Sequence, residues 1–193
     1  MFLAHQLALG HEYVVIVTTG GGLYRYRLGD VILVTGFVGQ CPVVIFRRRE
    51  KKVVDLFGEK LSEEFVSEML ANEFASREIH STFAMLAPAT EGTDTSYVLY
   101  VAFANDDRPD AEELRALVHS LESRLSAAYH YGYARRLGQL SPLRLFVVDH
   151  GTDPTGDYLR ACAARGKRLG DIKSTVLHSA TDWSLLFHGT YVS

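Results

Sequence analysis

The chain has 193 residues, of which 47% are hydrophobic and 22% are charged. This balance excludes disordered and fibrous chains and predicts a folded core. The formal net charge is -3. Because no net basic field attracts nucleic acid or an anionic membrane, we expect neither as a partner.

Cysteine usage and the first residues bear on the cellular compartment. Cys41 and Cys162 are far apart and match neither a metal-ligand spacing nor a disulfide framework. No basic region with a long apolar run follows Met1, and no stretch of about eighteen apolar residues occurs. We therefore expect a cytoplasmic protein without a signal peptide or a membrane span.

The first predicted elements are strands. Residues 13–19 (YVVIVTT) are an apolar run that three glycines interrupt. Residues 23–30 (LYRYRLGD) then alternate bulky and basic side chains, and residues 31–37 (VILVTGF) continue the extended pattern. The pattern predicts a β-meander or hairpin over residues 13–37. Such a small sheet cannot close a core alone, so it should pack on another part of the protein.

A basic segment, RRREKK at residues 47–52, marks a change in composition. Glu50, Asp55 and Glu59 dilute its positive charge within a few residues, which is typical of a solvated connector. We predict a domain boundary in this segment.

Three helices are predicted beyond the boundary. Ser62 followed by two glutamates indicates the start of a helix over residues 62–75. Residues 109–128 are amphipathic, and residues 154–164 are the third helix. The apolar stripe of the first helix is Phe65, Met69 and Leu70. In the second helix, the apolar face is Leu114, Leu117, Val118, Leu121 and Leu125, and the polar face is Glu112, Glu113, Arg115, Glu122 and Arg124.

Strands alternate with these helices. Residues 80–89 and 95–103 are predicted strands joined by the polar turn EGTD, and residues 143–150 are a further strand. The tail, residues 173–193, is too mixed for assignment. The predicted fold class is α+β, with a small mixed sheet covered by helices and a β-rich segment before it.

The densest candidate site is the glycine-rich run at residues 18–37. Glycines before a basic, aromatic strand indicate backbone close to a ligand, and Asp30 at a tight turn can accept two hydrogen bonds from a sugar diol. The alternative is a loose hairpin loop with Asp30 as a turn cap. The run is neither a P-loop nor a dinucleotide-binding fingerprint, because no Gly-Lys-Ser/Thr and no helix follows it.

Residues 24–30, YRYRLGD, resemble the Tyr-Arg-x-Gly-Asp motif of the adenylate-forming superfamily. The longer run, residues 18–37, is similar to the auxin-responsive acyl-acid amido synthetases. The resemblance continues through DLFGEKLSE at residues 55–63, LGQLSPLRLFVVDHGT at residues 137–152 and KRLGDIKSTVL at residues 167–177. It also includes Pro42, Phe46, Arg49, Tyr129, Tyr131 and Tyr133.

The resemblance implies two parts. Residues 1–47 would be the β-rich C-terminal end of a large nucleotide-binding domain, and residues 48–193 would be a small C-terminal α+β domain. Family members carry a phosphate loop and a second nucleotide motif upstream of these parts, and neither motif occurs in this chain. We therefore expect a missing N-terminal domain as a partner, and we expect the isolated chain to form no acyl-adenylate.

The resemblance also implies nucleotide-binding residues. Asp30 would bind the ribose hydroxyls of ATP, since a carboxylate accepts from two adjacent hydroxyls at once. Tyr26 belongs to the same motif and would bind the nucleotide as well. Arg49, with Arg48 as the alternative, would contact the ribose or phosphate from the start of the hinge, a contact that suits a guanidinium group.

Lys173 is the catalytic residue that the resemblance implies. Adenylation builds negative charge at the α-phosphate, so a cation placed there stabilises the transition state. The alternative for Lys173 is an ordinary surface lysine. Lys60 is the other candidate cation, although Glu59 beside it can equally form a surface pair with it.

A protein-built metal site is not expected. The eight histidines show no pair four residues apart and no HExxH. No GxSxG supports a serine nucleophile. The cofactors implied by the resemblance are ATP and Mg²⁺, which accompanies the triphosphate.

The resemblance implies an ATP-dependent ligase that forms an acyl-adenylate from a small carboxylic acid and transfers the acyl group to an amino acid. Neither the acid nor the amino acid can be read from this chain. One alternative is an acyl-CoA ligase of the same superfamily, although RRREKKVVDLFGEKL differs from the usual glycine-rich hinge of that class. The other alternative is a non-catalytic binding or regulatory module.

Overall fold

The structure, a computed structural model, describes residues 2–49, 53–104, 107–166, 170 and 172–192. The chain divides into two compact units, Met1–Lys51 and Lys52–Ser193. Three residues of the predicted connector, 50–52, lie outside the described residues. The assignment of residues 1–47 to the end of a larger nucleotide-binding domain stays a prediction.

The first unit is a three-stranded antiparallel sheet in the order β1-β2-β3. Of the predicted meander or hairpin over residues 13–37, the structure confirms the hairpin, because residues 26–38 form one continuous strand. Residues 41–49 add the third strand. A short 3-10 helix, Ala4–Gln6, precedes the sheet. The strands are β1 (Glu12–Val17), β2 (Tyr26–Val38) and β3 (Cys41–Arg49).

The second unit contains a four-stranded mixed sheet in the order β6-β7-β8-β9. The β7 and β8 strands are parallel, and the two outer pairs are antiparallel. A separate two-stranded pair, β4 (Val53–Val54) with β5 (Leu61–Ser62), precedes the first helix. The main strands are β6 (Ser81–Glu91), β7 (Asp94–Phe103), β8 (Ser141–Val148) and β9 (Gly189–Tyr191).

The predicted helices are confirmed, and the structure adds one that the sequence did not predict. The side chains of Ser62, Asp110 and Asp153 cap three helix starts by accepting backbone N–H hydrogen bonds. The additional helix, residues 129–136, lies between the predicted amphipathic helix and β8. The helices are α1 (Glu63–Ser76), α2 (Ala111–Ala127), α3 (Tyr129–Arg136) and α4 (Pro154–Ala164).

Helices cover both faces of the mixed sheet, as the α+β prediction requires. One core joins α1, α2 and α3 to the sheet, and its α2 contribution is Leu114, Leu117, Leu121 and Leu125. The other core joins α4 and the C-terminal segment to the opposite face, around Trp183. In α1 the buried apolar side chains are Val66, Met69 and Leu70, whereas Phe65 is half-buried beside them.

The predicted polar face of α2 is partly covered at Glu122, whose side chain is 20% exposed. Its carboxylate accepts hydrogen bonds from the Tyr131 hydroxyl at 2.9 Å, from Arg135 Nε at 2.7 Å and from the Leu143 amide at 3.0 Å. Burial raises the pKa of the Tyr131 hydroxyl, and the charge of Glu122 raises it further. The polar face is partly covered here because α3 packs on α2.

Within the described part of the chain, no helix is long and apolar enough to cross a membrane.

Candidate functional site

Asp30 lies in a bulge of β2, so the prediction of a tight turn was wrong. The pairing of β1 with β2 shifts between Val14 and Ile16, and residues 28–30 of β2 face a single residue of β1. Gly29 in this bulge has a φ of +73°, which glycine adopts without a steric penalty. A bulge bends the strand and redirects the neighbouring side chains. The bulge therefore explains why a glycine precedes Asp30.

The nucleotide-binding candidates share one region of the first unit. Asp30 on β2 pairs directly with Arg49 on β3, and Arg48 pairs with Val31. The side chains of Arg48 and Arg49 lie outside what the structure describes. Tyr26 begins β2 and is 52% exposed. The backbone positions of Asp30 and Arg49 are thus adjacent, and the roles of these residues toward a nucleotide stay predictions.

The three glycines form the loop between β1 and β2. The amide of Thr19 donates to the carbonyl of Leu23 at 2.8 Å and so closes the loop around them. Gly22 has a φ of +100°, which favours glycine. This is the hairpin loop of the alternative interpretation, and close approach of a ligand to it stays a prediction.

Lys60 follows a turn that Glu59 holds in place. Glu59 is 2% exposed. Its carboxylate accepts hydrogen bonds from the backbone amides of Leu56 at 2.9 Å and Phe57 at 2.8 Å. Lys60 itself is exposed and has a φ of +48°. The predicted surface pair is therefore wrong, because Glu59 is buried and bound to backbone donors.

The Glu59 carboxylate also ties this turn to the sheet. The hydroxyl of Tyr97, a fully buried residue of β7, donates a short hydrogen bond to it. Burial raises the pKa of the Tyr97 hydroxyl, and the hydrogen bond to Glu59 raises it further. A buried carboxylate with three donors is well satisfied, so the turn before Lys60 has a fixed shape.

Lys173 lies in an irregular segment after α4, and its side chain is exposed. The carbonyl of Lys173 accepts a hydrogen bond from the Tyr158 hydroxyl of α4 at 3.0 Å. Two residues later, the hydroxyl of Thr175 is 2.5 Å from Oε1 of Glu63. Residues 167–169 and 171 of the motif at residues 167–177 lie outside the described residues.

The N-terminal end of α1 connects the two candidate cations. Lys60 precedes Ser62, the cap of α1, by two residues, and Glu63 in the first turn binds the segment that carries Lys173. A helix N-terminus carries a partial positive charge. From the sequence, Lys60 and Lys173 were alternative candidates for the cation. In the structure, the segments that carry them are both attached to the N-terminal end of α1. The link was not visible in the sequence, because its residues are 112 positions apart.

Metal-ligating residues do not gather anywhere in the described ranges. Neither histidine, cysteine, aspartate nor glutamate side chains form a group of three or more that could hold a metal ion there.

Comparison with known proteins identifies the family. Residues 1–49 match the GH3 family central domain, and residues 64–181 match the GH3 family C-terminal domain. The second match alone spans more than half of the chain. The chain belongs to the GH3 family. The resemblance to acyl-acid amido synthetases is thereby confirmed.

GH3 relatives share sequence with nearly the whole chain. The indole-3-acetic acid-amido synthetase GH3.10 of Arabidopsis thaliana is 33% identical over 178 residues, which are 88% of this chain and 28% of that relative. The probable indole-3-acetic acid-amido synthetase GH3.1 of Oryza sativa subsp. japonica is 32% identical, also over 178 residues, which are 88% of this chain and 28% of that relative. The chain therefore spans less than a third of the length of these relatives.

A solved GH3 structure shares the fold. The structure of GH3.15 acyl acid amido synthetase matches with a TM-score of 0.63 at 23% identity, over 91% of this chain and 32% of that one. At this identity the match shows the fold alone. It supports the arrangement of a mixed sheet with helices on both faces.

The two GH3 matches assign the candidate residues to different regions. Tyr26, Asp30 and Arg49 fall within the central-domain match, and Lys173 falls within the C-terminal match. Lys60 lies between the two matched regions. Its neighbour Glu59 likewise lies between the matched regions, within the second unit.

Proposed function

We propose that this chain is the C-terminal part of an ATP-dependent acyl-acid amido synthetase. The observation that carries the proposal is the GH3 family match across both units, together with relatives whose names describe indole-3-acetic acid-amido synthetases. The complete protein would convert a carboxylic acid and ATP into an acyl-adenylate and pyrophosphate. An amino acid would then displace AMP and form the amide.

The first unit would bind the nucleotide. Asp30 would accept hydrogen bonds from the two ribose hydroxyls, with Tyr26 and Arg49 as further contacts. Two features support this role. The bulge at Gly29 redirects the backbone beside Asp30, and the register pairs Asp30 with a residue that carries a guanidinium group.

The second unit would supply the cation for the first half-reaction. Negative charge grows at the α-phosphate while pyrophosphate leaves, and a positioned ammonium group stabilises that charge more in the transition state than in the ground state. Lys173 is the proposed catalytic residue, and Lys60 is the second candidate. Both belong to segments attached to the N-terminal end of α1, whose partial positive charge has the same sign.

Mg²⁺ would arrive with the triphosphate. The described residues contain no cluster of metal ligands, and Mg²⁺ is commonly held by substrate phosphates with one or two carboxylates. None of the roles proposed here for Asp30, Tyr26, Arg49 or Lys173 requires a protein-built metal site.

Acid-dependent exchange of radiolabelled pyrophosphate into ATP tests the proposal. The complete protein that contains this chain should catalyse exchange with at least one member of a panel of aromatic and aliphatic acids, and amide should form when amino acids are added. The isolated 193-residue chain should catalyse neither. Exchange by the isolated chain would contradict the proposed division of labour, and acyl transfer to coenzyme A instead of an amine would favour the ligase alternative.

A further inference from the structure

The segment that carries Lys173 is held at its other end by the sheet. Residues 176–178 run beside β6, where the Leu86 amide donates to the Val176 carbonyl at 2.8 Å and the His178 amide donates to the Leu86 carbonyl at 2.9 Å. Leu177 forms a parallel bridge with Leu86 and is fully buried. The backbone is therefore fixed within a few residues of Lys173.

Thr175 is the buried residue nearest in sequence to Lys173 on this segment, and the Tyr158 hydroxyl holds the carbonyl of Lys173 itself. The residue is 7% exposed, and its hydroxyl lies 2.5 Å from Glu63 Oε1 and 2.7 Å from the Leu177 carbonyl. A hydroxyl that bonds to a carboxylate makes a stronger and shorter bond than a neutral pair does. Thr175 therefore joins the Lys173 segment to the first turn of α1 through a buried hydroxyl and a half-buried carboxylate.

Glu63 connects the same contact to the Lys60 turn. It follows Ser62, the cap of α1, and Ser62 lies two residues after Lys60. The buried Glu59 carboxylate fixes the turn that precedes Lys60. The Thr175–Glu63 bond is thus the side-chain link between the two segments that present candidate cations.

We infer that the Thr175–Glu63 hydrogen bond is a positioning element for the adenylation half-reaction, an inference that rests on the proposed function. Lysine is a long, flexible side chain, so the placement of its ammonium group depends on a fixed backbone. A displacement of about 1 Å at a catalytic group reduces rates by up to about 10². Thr175 and Glu63 act through Lys173 and Lys60 and contact no reacting atom themselves.

The test uses the complete protein and the substitution Thr175→Val, which preserves side-chain shape and removes the hydroxyl. The rate constant for acid-dependent pyrophosphate exchange should fall by about tenfold. The KM for ATP should change by less than about twofold, because the contacts that bind ATP equally in the ground and transition states are unchanged. Thr175→Ser should restore most of the rate. Amide formation from preformed acyl-adenylate should stay at the wild-type rate.

Two matched controls separate positioning from general structural loss. Thr152→Val removes a threonine hydroxyl that bonds to the Asp149 carbonyl at 2.7 Å, and it should leave exchange unchanged. Glu63→Gln weakens the charge-assisted bond and should lower exchange about threefold. Glu64→Gln removes a charge from the same helix turn and should not lower it, which controls for the helix dipole.

Each outcome decides the inference. A folded Thr175→Val protein with exchange within about twofold of wild type overturns it. If Thr175→Val does not fold, Glu63→Gln decides, and exchange equal to that of Glu64→Gln overturns the inference. Equal losses in exchange and in amide formation from acyl-adenylate, without rescue by serine, also overturn it. A wild-type protein without exchange overturns the proposed function itself and the inference with it.

Discussion

The two units use apolar side chains in opposite ways. In the first unit, Val31 and Val34 are the buried apolar residues among those described, and many large apolar side chains are exposed, such as Phe37, Val38 and Phe46. An apolar groove of about 790 Å³ opens on this unit. In the second unit, two continuous cores fill both faces of the sheet.

The difference shows which unit can account for its own stability. A three-stranded sheet needs a hydrophobic face packed against other structure, and a large exposed apolar surface marks an interaction site. The second unit buries tyrosine, tryptophan and leucine side chains without help from outside. The proposed functions follow the same division, with ground-state nucleotide contacts in the first unit and the transition-state cation in the second.

The largest expected effect is that of Lys173→Ala in the second unit. In the complete protein, acid-dependent pyrophosphate exchange should fall by about 10² or more, because the lost contact forms only in the transition state. The KM for ATP should change little. Lys60→Ala is the matched comparison. Normal exchange with slow amide formation would assign Lys173 to the second half-reaction, and normal kinetics throughout would make it an ordinary surface lysine.

The next effect concerns the stability of the second unit. Glu59→Gln should lower its free energy of unfolding by about 2 kcal/mol, because a side-chain amide cannot satisfy the buried donors as a carboxylate does. Trp183 is the single tryptophan and is fully buried in this unit, so its fluorescence during urea unfolding reports on this unit. Glu68→Gln, at an exposed position of α1, should change the midpoint little. Equal midpoints for the two variants would contradict the role of Glu59.

Asp30→Ala probes the first unit and should act differently from Lys173→Ala. Loss of hydrogen bonds to a charged acceptor should raise the KM for ATP by about tenfold and lower kcat/KM by the same factor, because a ribose contact acts in both the ground and the transition state. Steady-state kinetics with varied ATP measure both constants. If Asp30→Ala lowers only the rate constant, Asp30 is not a ground-state ribose contact.

The smallest effect is a pH dependence in the second unit. Burial raises the pKa of Glu73, but the hydrogen bonds from Ser120 and Arg77 and the charges of Arg124 and Arg77 outweigh it, so the pKa is lowered from its ordinary value of 4.5. The ionised carboxylate therefore contributes stability above about pH 4.5, and this contribution is lost as the pH falls through the lowered pKa. The Arg124 side chain is half-exposed, so the contribution should stay below about 1 kcal/mol.

Glu73→Gln checks this pH dependence. Urea unfolding followed by Trp183 fluorescence should show a smaller loss of stability on acidification in the variant than in the wild type. Identical pH profiles for the two proteins would show that Glu73 does not contribute.

The amphipathic elements were predictable from the sequence. The helix at residues 109–128 and the strands at residues 80–89 and 95–103 have strong periodicity, and the structure confirms them. The α3 helix was missed, because its eight residues include Gly132 and arginines and lack an apolar stripe. Short helices of this kind are stabilised by packing rather than by local preference.

The contacts of two acidic side chains were not predictable. Glu59 and Glu122 looked like surface charges in the sequence, since glutamate is seldom fully buried. Each instead accepts a hydrogen bond from a donor elsewhere in the fold, Tyr97 for Glu59 and Leu143 for Glu122. The nucleotide candidates came from the family motif, and no pattern of hydrophobicity identified the bulge that holds Asp30.

The bridge between Leu177 and Leu86 has a further consequence for aggregation. Residues 176–178 pair with the N–H and C=O groups of Leu86 at the edge strand β6, and without them these two groups would be available to another chain. At the other edge, β9 is only three residues long, and short edge strands pair poorly with other chains. The segment that carries Lys173 thus also shields the sheet, and removal of residues 172–178 should promote self-association through β6.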